Sequence, residues 1–205
     1  MIKNAILFYH NNDDKLKSYF FKCADFARTL LNMKSDIKQT CVNDSNCNFV
    51  YIDTVELPKH NEKSLFLIFS HGNEDAFYAN NSRTPFIHQT INCDTCLNGG
   101  LVYTNACSTG IKFGKNLPLK NASYFGYDKD IDIWYDYEDV FVQCDNWGLY
   151  RLLQGDTLEE AKTQAKAKFN QAIDDLYTKN FLAAGALELA KESIVIYGDI
   201  SKSFL

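Results

Sequence analysis

Six short runs, most of them continuously apolar, constrain this chain more than any other feature. They are Ala5–Tyr9, Phe49–Ile52, Leu65–Phe69, Leu101–Thr104, Tyr124–Tyr127 and Ile194–Tyr197. Runs of that length without apolar–polar alternation are strands covered on both faces. Helical patterns lie between them. Leu16, Tyr19, Phe20, Cys23, Phe26, Ala27, Leu30 and Leu31 follow a three-and-four spacing that marks one buried face. Asp156-Thr157 ahead of Glu159-Glu160 reads as a capping box, after which Leu158, Ala161, Ala165, Phe169, Ile173 and Leu176 share a face. Phe181 to Ala190 reads as a shorter helix. Strands alternating with helices predict a mainly parallel sheet of about six strands in an α/β sandwich. With 205 residues, 46% of them hydrophobic, the chain suffices for one such domain over 1–205.

Two of the runs end in chemistry. Leu65-Phe66-Leu67-Ile68-Phe69 leads into Ser70-His71-Gly72, and Leu101-Val102-Tyr103-Thr104 leads into Asn105-Ala106-Cys107-Ser108-Thr109-Gly110. In open α/β sheets, sites form at the carboxyl edge. If the two strands are neighbours, His71 and Cys107 face one another, as a thiol nucleophile and its base require. The backbone N–H groups of Gly72 and Cys107 are the natural donors to a developing oxyanion. A helix beginning near Thr109-Gly110-Ile111 would add a positive end that favours the thiolate.

Residues 73–98 and 128–155 do not fit a minimal sandwich. Both read as irregular insertions bordering the reactive edge, with a hairpin turn at Asn80-Asn81-Ser82 in the first. The second is rich in aromatics, including Trp134, Tyr135, Tyr137, Phe141 and Trp147, and reads mainly as loop core.

Several other constellations are weaker. Cys93-Asp94-Thr95-Cys96 with Cys41 and Cys47 has the makings of a four-thiol zinc site, but the Cys41–Cys47 spacing is loose. Asp13-Asp14 and Asp53 suggest a phosphoacceptor receiver with a magnesium ion, yet Asp13-Asp14 sit four residues past their strand and fit better as caps of the first helix. No phosphate-binding glycine motif is present, so no cofactor and no metal is expected. The seven cysteines are expected to be mostly reduced thiols. A net charge of −5 without a basic stripe argues against nucleic acid as a partner. The short apolar stretch at the N-terminus suits neither a signal peptide nor a membrane span, so a cytoplasmic, non-membrane protein is expected.

Phe69-Ser70-His71-Gly72 followed by Asn105-Ala106-Cys107-Ser108-Thr109-Gly110 resembles the caspase-like cysteine peptidases of clan CD, most of all the CHAT and gingipain-like branch. The separation of 36 residues between His71 and Cys107 is shorter than the roughly 50 of caspases. The caspase Gln-Ala-Cys-X-Gly signature is replaced, with Asn105 for Gln and Ser108-Thr109 before Gly110. Ser123–Tyr127, the Gly155-Asp156-Thr157 loop before a helix, and Ile194-Val195-Ile196-Tyr197-Gly198-Asp199 resemble later elements of that branch, in order. The resemblance implies a three-layer caspase-like sandwich and an endopeptidase whose dyad is His71 and Cys107. It implies a substrate pocket beside the dyad that takes in His10, Asp128, Asp130 and Asp132. Such an acidic wall suits a Lys or Arg side chain, although the same aspartates also read as a solvated loop. It further implies a protein substrate, control by a regulatory partner or by the loops, and a link to bacterial antiviral defence. The alternative is a catalytically silent interaction module of the same fold.

Overall fold

The computed structural model describes residues 2–10, 13–79, 84–89 and 97–204. Its main sheet has six strands: β1 (Asn4–Tyr9), β2 (Lys38–Asn43), β3 (Ser64–Phe69), β7 (Leu101–Thr104), β8 (Ser123–Tyr127) and β9 (Ile194–Tyr197). Their spatial order is β2-β1-β3-β7-β8-β9, and only β9 runs antiparallel to its neighbour. Three short strands, β4 (His71–Gly72), β5 (Ala76–Tyr78) and β6 (Pro85–His88), form a separate antiparallel sheet between β3 and β7. The helices are α1 (Lys17–Asn32), the single turn α2 (Phe49–Tyr51), α3 (Glu138–Leu153), α4 (Leu158–Tyr177) and α5 (Phe181–Glu192).

Alternation along the central strands sends successive side chains into two cores. Leu7, Leu65, Leu67, Phe69 and Tyr103 face α1, α3, α4 and α5. Phe8, Phe66, Ile68 and Val102 face the opposite layer, built from the small sheet and short helical turns through Phe77, Phe86, Phe113 and Leu117. Both faces of the central strands are thus covered, as their continuous apolar runs require. Each fully buried Phe or Leu contributes about 1.5–3 kcal/mol. The fold is the three-layer α/β/α sandwich expected, with a mainly parallel six-strand sheet.

Two sequence expectations are corrected. Phe49–Ile52 is not a strand. The Asn48 side chain accepts the Tyr51 N–H at 2.9 Å and starts a helical turn that continues as a π-helical segment over Ile52–Glu56. The second strand is Lys38–Asn43 instead, whose polar sequence hid it. It is an edge strand, paired only with β1, and only Val42 in it is buried. Residues 128–155 are not an irregular insertion throughout, because α3 occupies most of them. Its buried face mixes Phe141, Leu149 and Leu152 with Asp145 and Asn146, which blunts the apolar period. The other helices follow their patterns. Thr157 and Glu160 close a capping box at α4, and the Asn180 side chain caps α5. The hairpin turn expected at Asn80-Asn81-Ser82 lies outside the described residues.

Candidate active site

β3 and β7 are parallel neighbours, and their register explains the sequence spacing. Leu65 faces Leu101 and Ile68 faces Thr104, an offset of 36 positions that is also the offset from His71 to Cys107. His71 follows the end of β3 and Cys107 the end of β7, so both lie past the carboxyl ends of adjacent strands, which in a sheet are about 4.8 Å apart.

His71 is held on two sides. Its Nε2 lies 2.8 Å from Asp13 Oδ2, and the Phe20 ring meets the imidazole edge-on at 5.3 Å. Asp13 is buried, and its other oxygen, Oδ1, accepts the Lys15 N–H at 2.8 Å and the Leu16 N–H at 2.5 Å. Burial pushes the Asp13 carboxyl upward, but the bonds from Leu16, His71 and Lys15 outweigh it and leave it below its usual value. Asp13 is therefore ionised at neutral pH, Nε2 carries the imidazole proton, and Nδ1 is left for proton transfer. Asp13 does not cap α1 itself, which begins at Lys17. It closes the turn ahead of that helix and orients the histidine.

The Cys107 turn is fixed from within. Thr104 Oγ1 donates to the Ile68 carbonyl at 2.7 Å and accepts the Ala106 N–H at 3.0 Å. Thr109 Oγ1 donates to the Ala106 carbonyl at 3.1 Å. Ser108 has a φ of +58°, a left-handed conformation that a non-glycine residue adopts at a cost. The Ser108 N–H donates to the Lys129 carbonyl at 3.0 Å, and its hydroxyl donates to Asp130 Oδ1 at 2.7 Å. Flanking N–H groups are thus occupied, while that of Cys107 donates to no atom among the described residues, as an oxyanion donor must. Gly72 pairs with Phe77 in the small sheet, and its lack of a side chain has a clear cause. A Cβ there would lie 2.8 Å from both Ala106 Cβ and the Cys107 carbonyl oxygen and 2.6 Å from Thr109 Cγ2. The turn after Cys107 leads into helical residues that begin at Gly110, as a π-helical segment over Gly110–Gly114 followed by a 3-10 turn over Leu117–Lys120.

The Cys107 sulfur accepts the Ile131 N–H at 3.4 Å and lies 3.8 Å from the Ile131 carbonyl. Burial pushes the thiol up, the Ile131 N–H opposes this, and Asp130, Asp132 and Asp145 add to the rise. The Cys107 thiol is therefore neutral at rest. On the His71 side, a cavity of about 410 Å³ is lined by Asp13, Asp14, Lys15, His71, Asp132 and Tyr135, among others, and reaches the Cys107 turn through Ile131.

The expected pocket residues are spread more widely. Asp132 lines the cavity, and Asp130 braces the Cys107 turn. His10 is buried and is not among the cavity-lining residues. Burial lowers its pKa, although Asp44 and Asp13 pull the other way. Asp128 donates its N–H to Ser193 and keeps a buried Oδ1 without a partner among the described residues. Asp13, Ile131 and Tyr135 are site residues that sequence reasoning missed. Asp13 was visible as a carboxylate just past the end of β1, but its meaning depends on β1 lying beside β3.

The other constellations fare less well. Asp53 lies in the π-helical segment, not at a strand end, which removes the receiver arrangement. Cys41 lies within β2, and the Cys47 thiol after it donates to the Val42 and Tyr9 carbonyls. Cys93 and Cys96 lie outside the described residues. Among the described residues no cluster of three or more metal-ligating side chains occurs, and no helix is long and apolar enough to cross a membrane.

No protein-family model and no curated protein matches this chain. Solved structures do. The Arg-specific cysteine proteinase gingipain R is similar at 13% identity with a TM-score of 0.65, over 98% of this chain and 47% of that one. The complex of the pro- and mature domains of the Porphyromonas gingivalis protein is similar at 12% identity with a TM-score of 0.63, over 98% of this chain and 48% of that one. The chain spans about half the length of these solved chains. The neighbours are gingipains and do not single out the CHAT branch. What the likeness shows is the fold: a caspase-like α/β sandwich of the kind found in gingipain R.

Proposed function

We propose that this chain is a cysteine endopeptidase in which Cys107 is the nucleophile, His71 the proton carrier and Asp13 the group that orients it. The observation that carries the assignment is an Asp13-held imidazole just past β3 and a thiol just past β7, its adjacent parallel strand. As a scissile carbonyl approaches, the Cys107 proton passes to Nδ1 of His71, and sulfur forms its bond to carbon. The oxyanion is met by the Cys107 N–H. His71 then protonates the leaving amine, and water hydrolyses the acyl-enzyme by the reverse sequence. Asp14 and Asp132 give the adjoining cavity an acidic character, tempered by Lys15, which suits a Lys or Arg side chain before the cut. The test is a fluorogenic peptide library varied at that residue, against wild type and Cys107→Ala. Cleavage after Lys or Arg that Cys107→Ala abolishes is expected. Cleavage that survives in Cys107→Ala overturns the assignment, as does a wild type that cleaves no peptide.

One observation favours a second reading, a silent module of the same fold: the thiol bonds the Ile131 backbone and not the imidazole. A resting enzyme accounts for the same contact if substrate or a protein partner shifts the segment around Ile131, because catalytic hydrogen bonds often tighten only in the complex. Alkylation separates the two. Faster labelling of Cys107 than of Cys23, Cys47 and Cys144, slowed by His71→Ala, supports the enzyme. Place in a defence system and choice of regulator belong to this proposal as expectations of the resemblance alone.

A further inference from the structure

Beneath the Cys107 turn lies a buried polar cluster that the reaction above does not use. Its centre is Asp145 on α3, which is buried. The Tyr19 and Tyr127 phenols donate to its two carboxylate oxygens, one each. The Tyr103 phenol donates to its main-chain carbonyl at 2.5 Å. Asn105 Nδ2 donates to the Tyr19 oxygen at 2.9 Å and to Cys23 Sγ at 3.4 Å. Tyr19, Cys23, Tyr103, Asn105 and Tyr127 are all buried. Among the described residues no Lys, Arg or His forms an ion pair with Asp145. A well-packed apolar side chain would fill the same place at lower cost, so stability alone does not account for a carboxylate there.

The cluster joins the parts of the site. Tyr19 is six residues beyond Asp13, Asn105 is two residues before Cys107, and Tyr127 is four residues before Ile131. These three segments come from α1, β7 and β8, which are not consecutive in the chain.

We propose that Asp145 is a positioning residue, which holds the segments carrying Asp13, Cys107 and Ile131 in mutual register through Tyr19, Asn105 and Tyr127. It touches no reacting group and acts through the phenols; because its charge also adds to the rise of the Cys107 thiol, Tyr19→Phe and Tyr127→Phe, which keep that charge, are the cleaner variants. The proposal rests on the peptidase reading, but one of its readouts does not. Asp145→Asn keeps the shape and removes the charge, while Tyr19→Phe and Tyr127→Phe each remove one hydroxyl. Cys107 alkylation by iodoacetamide, peptide hydrolysis and thermal melting are measured for each variant and for Asp145→Asn with Tyr127→Phe. In variants that melt cooperatively, Cys107 alkylation is expected to slow about fivefold and kcat to fall about tenfold with KM nearly unchanged, since only transition-state alignment is lost. The double variant should be no worse than its worse parent, because Tyr127 acts through its bond to Asp145 and has nothing further to lose once Asp145 is changed. If Asp145→Asn does not fold, the two Tyr→Phe variants bear the test. Wild-type alkylation and kcat in folded variants overturn the proposal, as do losses that multiply in the double variant. If the wild type cleaves no peptide while Cys107 alkylation still falls in the variants, the peptidase reading fails and the positioning role stands.

Discussion

Gly72→Ala tests the packing of the site at its tightest point. The added Cβ would stand 2.8 Å from Ala106 Cβ, 2.8 Å from the Cys107 carbonyl oxygen and 2.6 Å from Thr109 Cγ2. The Cys107 oxygen is backbone, so no rotamer change relieves it. To reach an ordinary contact of 3.4 Å, the His71 segment and the Cys107 turn must part by at least 0.6 Å. Overpacking of that kind costs about 1–3 kcal/mol of stability. It reaches chemistry as well as folding, because the displaced atoms belong to the turn that carries Cys107. Misplacement by about 1 Å can cost about 10²-fold in rate, so a loss of about 10- to 100-fold in kcat/KM is expected, equivalent to about 1.4–2.7 kcal/mol. Gly185→Ala is the control. Its added Cβ meets nothing within 4 Å in α5, so it should leave activity unchanged and add up to about 1 kcal/mol of stability. The assay is peptide hydrolysis beside thermal melting for both variants. A folded Gly72→Ala with hydrolysis within twofold of wild type would refute the account of this contact.

Asp13→Asn should lower kcat by about 10²-fold or more, because an amide cannot hold the Nε2–H tautomer of His71 as a carboxylate does, and a kcat unchanged at saturating peptide would contradict that role. Asp145 makes stability pH-dependent. Burial raises its pKa from 3.8 to about 6 against the opposing phenol bonds, so the folded state binds more protons between those values and stability falls as pH rises from about 4 to 6. The total is about 3 kcal/mol, and Asp145→Asn should flatten that slope in denaturant titrations run at several pH values. Thr157→Ala removes the capping box of α4 and should cost about 1 kcal/mol in the same titrations without affecting hydrolysis.

How much of this was legible in the sequence depended on where each strand lies in the sheet. β3, β7 and β8 are buried on both faces, and their apolar runs announced them with their chemistry attached. β2 lies at the edge, where Lys38, Gln39 and Thr40 can face water, so its apolar signal vanished and passed to Phe49–Ile52, which Asn48 caps into a helix. α3 was missed because part of its buried face is polar: Asp145 is held by the Tyr19 and Tyr127 phenols, tertiary partners that no local pattern reveals, and Asn146 Nδ2 donates to the Val142 carbonyl one turn back. Asp13 failed for the same reason. Its role needs β1 beside β3, a neighbour relation set by the packing of the whole sheet. His71 and Cys107 were legible as candidates because each follows its own buried strand, and their spacing of 36 residues equals the strand register.

The central claim is that Cys107 is a nucleophile served by His71. A peptidyl acyloxymethyl ketone with Lys or Arg next to the reactive carbon tests it most directly, with peptide mapping by mass spectrometry on wild type and His71→Ala. The account predicts a single adduct, on Cys107, formed in the wild type and slowed at least tenfold in His71→Ala, in line with the usual contribution of a general base. An adduct that forms equally fast in both, or that spreads over Cys41 and the buried thiols, would contradict it.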